Sequence, residues 1–208
     1  MPEERTEQKY DRVAAVYDRR WRRYVQPTLN YFTEALALRG DERLLDASCG
    51  TGTLIVRLRE HHPELDLTGV DLSYEMLREA REKIGTDDRV TLRQGNAEDL
   101  PFEEAAFEVV VSTSAFHYYG HPGQALSEFR RVLRPGGRLA MMDWNGDHWL
   151  WQLLDPLLRR FDPTYRGCYG VDTMHELLHA AGFRDINVKP VHVGWIWGMW
   201  YASGQCPR

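Results

Sequence analysis

Two rhythms of hydrophobic placement alternate along this chain. Short apolar runs such as Leu44-Leu45, Leu67 to Val70 and Val109-Val110-Val111 are separated by stretches in which apolar residues recur every three or four positions, as in Met76, Leu77, Ala80 and Ile84. The first rhythm marks buried strands and the second marks helices lying on them. Strands are expected over 43–46, 66–71, 90–94, 107–112 and 138–143, with helices over 53–61, 74–84 and 123–133. Strands alternating with helices imply a parallel sheet covered on both faces, with ligands at the carboxyl ends of its strands.

The two ends of the chain are less regular. Residues 1–9 are polar and expected to fray. Tyr10, Val13, Ala14, Val16, Tyr17, Trp21 and Tyr24 then form an aromatic stripe on one or two short helices, and 27–40 reads as a further helix stopped by Gly40. Beyond the fifth strand, 149–161 is amphipathic but interrupted by Asp155-Pro156, and 172–181 is a helix stopped by Gly182. The runs 186–191 and 193–202 are so close that they must pair antiparallel, with Trp195, Trp197 and Trp200 expected on one core-facing side. The fold class is therefore α/β: a doubly wound, seven-stranded, mostly parallel sheet with its last strand antiparallel, in one domain over 1–208.

The most informative stretch joins the first strand to the helix after it. Asp46 ends the strand, and Gly50 and Gly52 sit in a tight turn before Thr53. Glycines there permit positive φ and close approach of a ligand, while the helix start offers unpaired N–H groups. Asp71 ends the second strand 21 residues after Gly50, where a carboxylate can accept hydrogen bonds from ribose hydroxyls. Dinucleotide folds and methyltransferases share both features. A dinucleotide fingerprint also wants a third glycine, and that position holds Ile55.

Four segments occur in order and spacing: Asp46-Ala-Ser-Cys-Gly-Thr-Gly-Thr53, Gly69-Val-Asp-Leu-Ser73, Gly95-Asn-Ala-Glu-Asp-Leu-Pro-Phe102 and Arg131-Val-Leu-Arg-Pro-Gly-Gly-Arg138. With them, over roughly residues 10–183, the chain resembles the class I S-adenosylmethionine (SAM) methyltransferases. Within these it is most similar to the small-molecule branch that includes the ubiquinone/menaquinone C-methyltransferases. The resemblance implies a Rossmann-like core over 41–208 and, from Tyr10-Asp-Arg-Val-Ala-Ala-Val-Tyr-Asp18, an N-terminal helical lid over 1–40. It implies SAM as cofactor, with Gly50 and Gly52 under its methionine end and Asp46 orienting the turn or meeting the ammonium through water. Asp71 would hold the ribose, Leu72 and Met76 flank the adenine, and Asn96 and Ala97 meet its edge, with Ala47 and Ser112 completing the cofactor set. Two departures stand out: Ser48 replaces the family's first glycine, and Asn96 stands where an acid is commoner.

Methyl transfer is an in-line displacement, so alignment matters more than acid–base power. His117, which follows the fourth strand, is a candidate acceptor-binding residue or general base, or a histidine that only caps its loop; Tyr17 and Asp143 are the alternatives. Tyr10, Trp21, Tyr118 and Trp144 are candidate acceptor contacts. Asp46 and Asp71, taken singly, could equally be strand-end residues capping a turn.

Other features bound the function. A net charge of −5 over 208 residues disfavours a nucleic-acid partner, and the run Arg19-Arg20-Trp21-Arg22-Arg23 reads as a solvated helix face or as an attractor of anionic substrates or membrane surface. Three unpaired-looking cysteines suggest a reducing cytoplasm, and neither an apolar leader nor a spanning run is expected. His175-Glu-Leu-Leu-His179 matches a zinc-protease pattern, but that reading leaves the first 140 residues without a purpose and no metal is expected. The reading reached is a SAM-dependent methyltransferase acting on a small, aromatic or apolar acceptor. A non-catalytic SAM-binding or partner-stabilising module is the alternative, with a zinc protease more remote.

Overall fold

The computed structural model describes residues 2–194 and 196–208. Its elements are α1 Pro2–Ala35, β1 Arg43–Asp46, α2 Thr53–His61, β2 Asp66–Asp71, α3 Tyr74–Ile84, β3 Val90–Gln94, β4 Phe107–Thr113, α4 Pro122–Val132, β5 Leu133–Trp144, α5 Trp149–Phe161, α6 Val171–Ala180, β6 Arg184–Val193 and β7 Trp197–Gln205, with a single 3-10 turn at Phe116–Tyr118. The strand order is β3-β2-β1-β4-β5-β7-β6. Strands β1 to β5 pair in parallel, and β7 is antiparallel to both β5 and β6. The expected seven-stranded architecture holds, and the order reverses between β1 and β4, opening a crevice at their carboxyl ends.

Strand periodicity divides the core in two. Leu45, Val110, Leu139, Met141 and Trp200 point to one face and meet Leu126 and Phe129 of α4 and Met174 and Leu178 of α6. Leu44, Val109, Val111, Ala140, Met142 and Met199 point to the other, against Phe32 of α1, Leu54, Ile55 and Leu58 of α2 and Leu77 of α3. Both faces are thus sealed, as a parallel sheet requires.

Several boundaries depart from expectation. The aromatic stripe and the helix expected over 27–40 form one 34-residue helix that passes through Pro27 and ends at Ala35. The proline deprives only the Arg23 carbonyl of a partner, and Arg23 is exposed, so water can replace the lost bond. Pro156 likewise sits inside a continuous α5. Strand β5 begins at Leu133, ahead of the expected 138, so Pro135-Gly136-Gly137 lies within it, at an irregular register against β4. Trp197 and Trp200 do not share a face: three residues apart in a strand of period two, Trp200 joins Phe116 on one side and Trp197 joins Tyr24 on the other. Trp195 lies outside the described residues.

The position that a dinucleotide fingerprint gives to a third glycine holds buried Ile55, and the glycine that makes room for it is on the adjacent strand. A Cβ at Gly69 would fall 2.7 Å from Ile55 Cδ1, 2.7 Å from Leu92 Cδ2 and 2.8 Å from Cys49 Sγ. Gly69→Ala should therefore cost about 1–3 kcal/mol by overpacking. Ile55→Val, which removes the clashing methyl, should recover part of it. Urea denaturation of the single and double variants tests this, and an unchanged midpoint for Gly69→Ala would refute it.

Candidate functional site

The crevice holds a cavity of about 300 Å³, walled by the loops after β1, β2, β3 and β4 and roofed by α1. A smaller one of about 70 Å³ shares Tyr17, Ser48, Gly50, Thr113 and Ser114 with it and reaches Asp46. Asp71 organises the floor. Its Oδ2 accepts a hydrogen bond from the Gly50 N–H at 2.8 Å and its Oδ1 one from Ser73 N–H at 2.9 Å. Burial outweighs these bonds and pushes its pKa up to about 6. Gly50 takes φ 52, and a Cβ there would meet nothing within 4 Å, so its backbone borders open space.

Asp46 is 1% exposed and its Oδ1 has no hydrogen-bond partner. Burial, helped by the neighbouring Asp71 charge, pushes its pKa up to about 8. Such an orphaned acceptor beside a cavity suits a cationic ligand group. Leu72, Met76, Asn96 and Ala97 line the larger cavity. Asn96 Oδ1 accepts from the Glu98 N–H at 2.9 Å, so what it can offer a ligand is its Nδ2 donors. Ser48 is not among the residues with positive φ, so its replacement of a glycine is unstrained. Its hydroxyl bonds Tyr119 at 2.9 Å. Ala47 and Ser112 lie beneath the cavities and hold the Tyr119 hydroxyl from below, at 3.2 and 3.1 Å. Gly52 lines neither cavity: with φ 71 it packs toward α3, where a Cβ would meet Ala80 at 3.0 Å.

The roof follows from a repeated dipeptide. Tyr10 and Tyr17, two helical turns apart, face the cavity, and Tyr10 meets Tyr118 edge-on at 5.6 Å. The acid after each tyrosine clasps a loop below. Asp11 Oδ1 accepts from Ser73 Oγ at 2.5 Å at the start of α3, and Asp18 Oδ1 accepts from Thr51 Oγ1 at 2.6 Å at the start of α2, with Lys83 pairing to Asp18 at 2.5 Å. Both acids thereby sit at positive helix ends. Lys9 adds a bond to Asp162 at 2.5 Å. Trp21, expected at the acceptor, is 37% exposed and lines none of the cavities described.

His117, Asp143 and Trp144 come together, but behind the cavity wall. His117 Nδ1 lies 2.6 Å from Asp143 Oδ1, both residues are buried, and the imidazole stacks on Trp144 at 3.9 Å between ring centres. Trp144 Nε1 in turn donates to Tyr24 at 2.9 Å. This arrangement fixes the 3-10 turn that carries Tyr118 into the cavity. His175, Glu176 and His179 occupy the exposed face of α6, while Met174 and Leu178 face inward, so the protease pattern reads as an ordinary amphipathic helix. Among the described residues no cluster of three or more His, Cys, Asp or Glu side chains could hold a metal.

Residues 45–141 match the model of the family described as methyltransferase domain. The chain is 32% identical to the demethylmenaquinone methyltransferase of Lactiplantibacillus plantarum over 89% of its own length and 90% of that protein. The chain belongs to the class I SAM-dependent methyltransferases. It is also 33% identical to the ubiquinone/menaquinone biosynthesis C-methyltransferase UbiE of Syntrophotalea carbinolica over 69% of this chain. In that protein and two further relatives the match spans only 50–63% of the relative's length. In fold it resembles the putative methyltransferase in complex with the Trm112 activator from Haloferax volcanii, with a TM-score of 0.80 at 19% identity over 96% of this chain and 98% of that one.

The cofactor of this methyltransferase family is SAM, and the residues fit it: Asp71 for hydroxyls, the orphaned Asp46 oxygen for an ammonium, bare Gly50 for close approach, and Leu72, Met76 and Ala97 for a flat ring. Asp11, Asp18, Tyr119 and Arg166 escaped the sequence reading. For the two acids the signal was present in the spacing of Tyr10-Asp11 and Tyr17-Asp18; for Tyr119 and Arg166 it was not.

Two tests follow from this geometry. A carboxyl whose folded pKa is about 8 against an ordinary 3.8 binds more protons folded than unfolded, so it lowers stability progressively as pH rises from about 4 to 8. Asp46→Asn should flatten that slope and raise the melting temperature at pH 9 more than at pH 5; equal shifts at both would count against the buried carboxyl. His117→Ala should leave Asp143 without its buried partner and cost at least about 1–3 kcal/mol, while leaving SAM affinity unchanged. Chemical denaturation and calorimetry would check it, and a loss of SAM affinity without loss of stability would place the imidazole in the cavity instead.

Proposed function

We propose that the chain transfers a methyl group from SAM to a small organic acceptor whose reacting part is aromatic or apolar. The observation that carries this reading is one cavity with two kinds of wall. Asp71, Asn96 and the bare backbone of Gly50 form a polar floor, and Tyr10, Tyr17 and Tyr118 form an aromatic roof above it. The cofactor, when bound, supplies an electrophilic methyl on a sulfonium. The chain's own contribution is alignment and exclusion of water.

Burial holds the Tyr17 phenol well above its usual pKa, so near neutrality it stays protonated. It can orient an acceptor by hydrogen bonding and is unsuited to act as a base. The first half of α1 serves as the lid, held shut by the Asp11 and Asp18 clasps.

Incubation with methyl-labelled SAM and a panel of phenols, quinols, amines and carboxylic acids should give label in at least one acceptor. SAM binding without transfer to any of them would favour a binding module. Asp11→Ala with Asp18→Ala should lower turnover at least tenfold while the melting temperature of the sheet core changes little, because α1 remains anchored through Phe32. Unchanged turnover would remove the lid from the proposal.

A further inference from the structure

We infer that the acceptor carries an anionic group, a carboxylate or phosphate, that pairs with Arg166. This rests on the reading of the cavity as a methyltransferase site and narrows its substrate class. Arg166 lies in the loop between α5 and α6 and is the one lysine or arginine lining the larger cavity among the described residues. Among the described residues its guanidinium forms no hydrogen bond or ion pair, and its Nε is buried without a partner. A guanidinium N–H out of water is costly unless something completes it, and the fork of donors suits a planar carboxylate or a phosphate.

The acids that line the same cavity do not satisfy it. Asp71 is engaged by Gly50 and Ser73, Glu98 accepts from the N–H groups of Gly120 and His121 at 2.6 and 3.1 Å, and Glu7 accepts from Gln94 at 3.2 Å.

The backbone of Arg166 is clamped as though its placement mattered. Its N–H donates to the His117 carbonyl at 2.9 Å, and its carbonyl accepts from Arg159 Nη1 at 2.8 Å. Gly167 makes the second bond possible, since a Cβ there would collide with the Arg159 guanidinium. Arg166 is thus held beside Tyr118, on the aromatic side of the cavity. It does not line the smaller cavity that reaches Asp46, where the cofactor's amino acid end is assigned, so the cofactor carboxylate is not its natural partner.

Calorimetry in saturating S-adenosylhomocysteine, with benzoate and phenyl phosphate against neutral benzamide, tests the pairing. At least one of the two anions should bind wild-type protein at least tenfold tighter than benzamide. Arg166→Gln should abolish that preference, Arg166→Lys should keep part of it, and S-adenosylhomocysteine affinity should stay within about twofold in both. The inference is overturned if wild type shows no preference for anions, if Arg166→Gln retains it, or if Arg166→Gln weakens S-adenosylhomocysteine, which would assign the arginine to the cofactor. Failure of S-adenosylhomocysteine to bind wild type would instead sink the methyltransferase reading on which the pairing rests.

Discussion

One carboxylate ties together three segments that the sheet alone leaves free. Asp71 ends β2, yet its oxygens hold the Gly50 N–H in the loop after β1 and the Ser73 N–H at the start of α3. The crevice between β1 and β4 is therefore shaped by a residue on the next strand over. Its pKa is raised despite two backbone donors, because taking it from water costs more than they return. The same desolvation makes it responsive to a ligand hydroxyl or cation. With Asp46 raised still further nearby, the floor carries two acids that repel each other and that a positively charged ligand would reconcile.

Above this floor, the roof and the clasps are alternate outputs of one helical pattern. Tyrosines seven residues apart repeat on one face, and the acids one position later repeat about 100° around the helix, toward the loops. Asp11 and Asp18 therefore report, through the starts of α3 and α2, on the loops that Asp71 organises. The floor and the roof of the cavity are joined by this contiguous set of hydrogen bonds.

Most of the sheet could be read in advance because strand burial leaves a strong local signature: β1, β2 and β3 and helices α2 and α3 fall where apolar spacing puts them. Pro27 and Pro156 misled because local propensity was overridden where an exposed carbonyl could turn to water. The cavity lining was legible at Asp71, Gly50, Leu72, Met76, Asn96 and Ala97, since each lies at a fixed offset from a strand end. His117 and Trp144 were not, because whether a side chain after a strand turns into the crevice or under it depends on packing against Trp151 and Tyr24. Arg166 was invisible for the same reason: a lone loop arginine acquires meaning only from what fails to pair with it.

The continuity of α1 has a mechanical consequence. Tyr24 is buried and bonded to Ser114 at 2.6 Å, and Phe32 beyond it is wholly enclosed, so the inner end of the helix is a fixed pivot. From Tyr24 to Tyr10 the rod measures about 21 Å at 1.5 Å per residue, so a tilt of only about 10° lifts its tip by nearly 4 Å, about the thickness of an aromatic ring. With the Asp11 and Asp18 clasps open, a gentle bend of the helix outward of Tyr24 would admit a flat molecule without melting it. A lever arm of this length turns a small adjustment at the pivot into a full gap at the mouth.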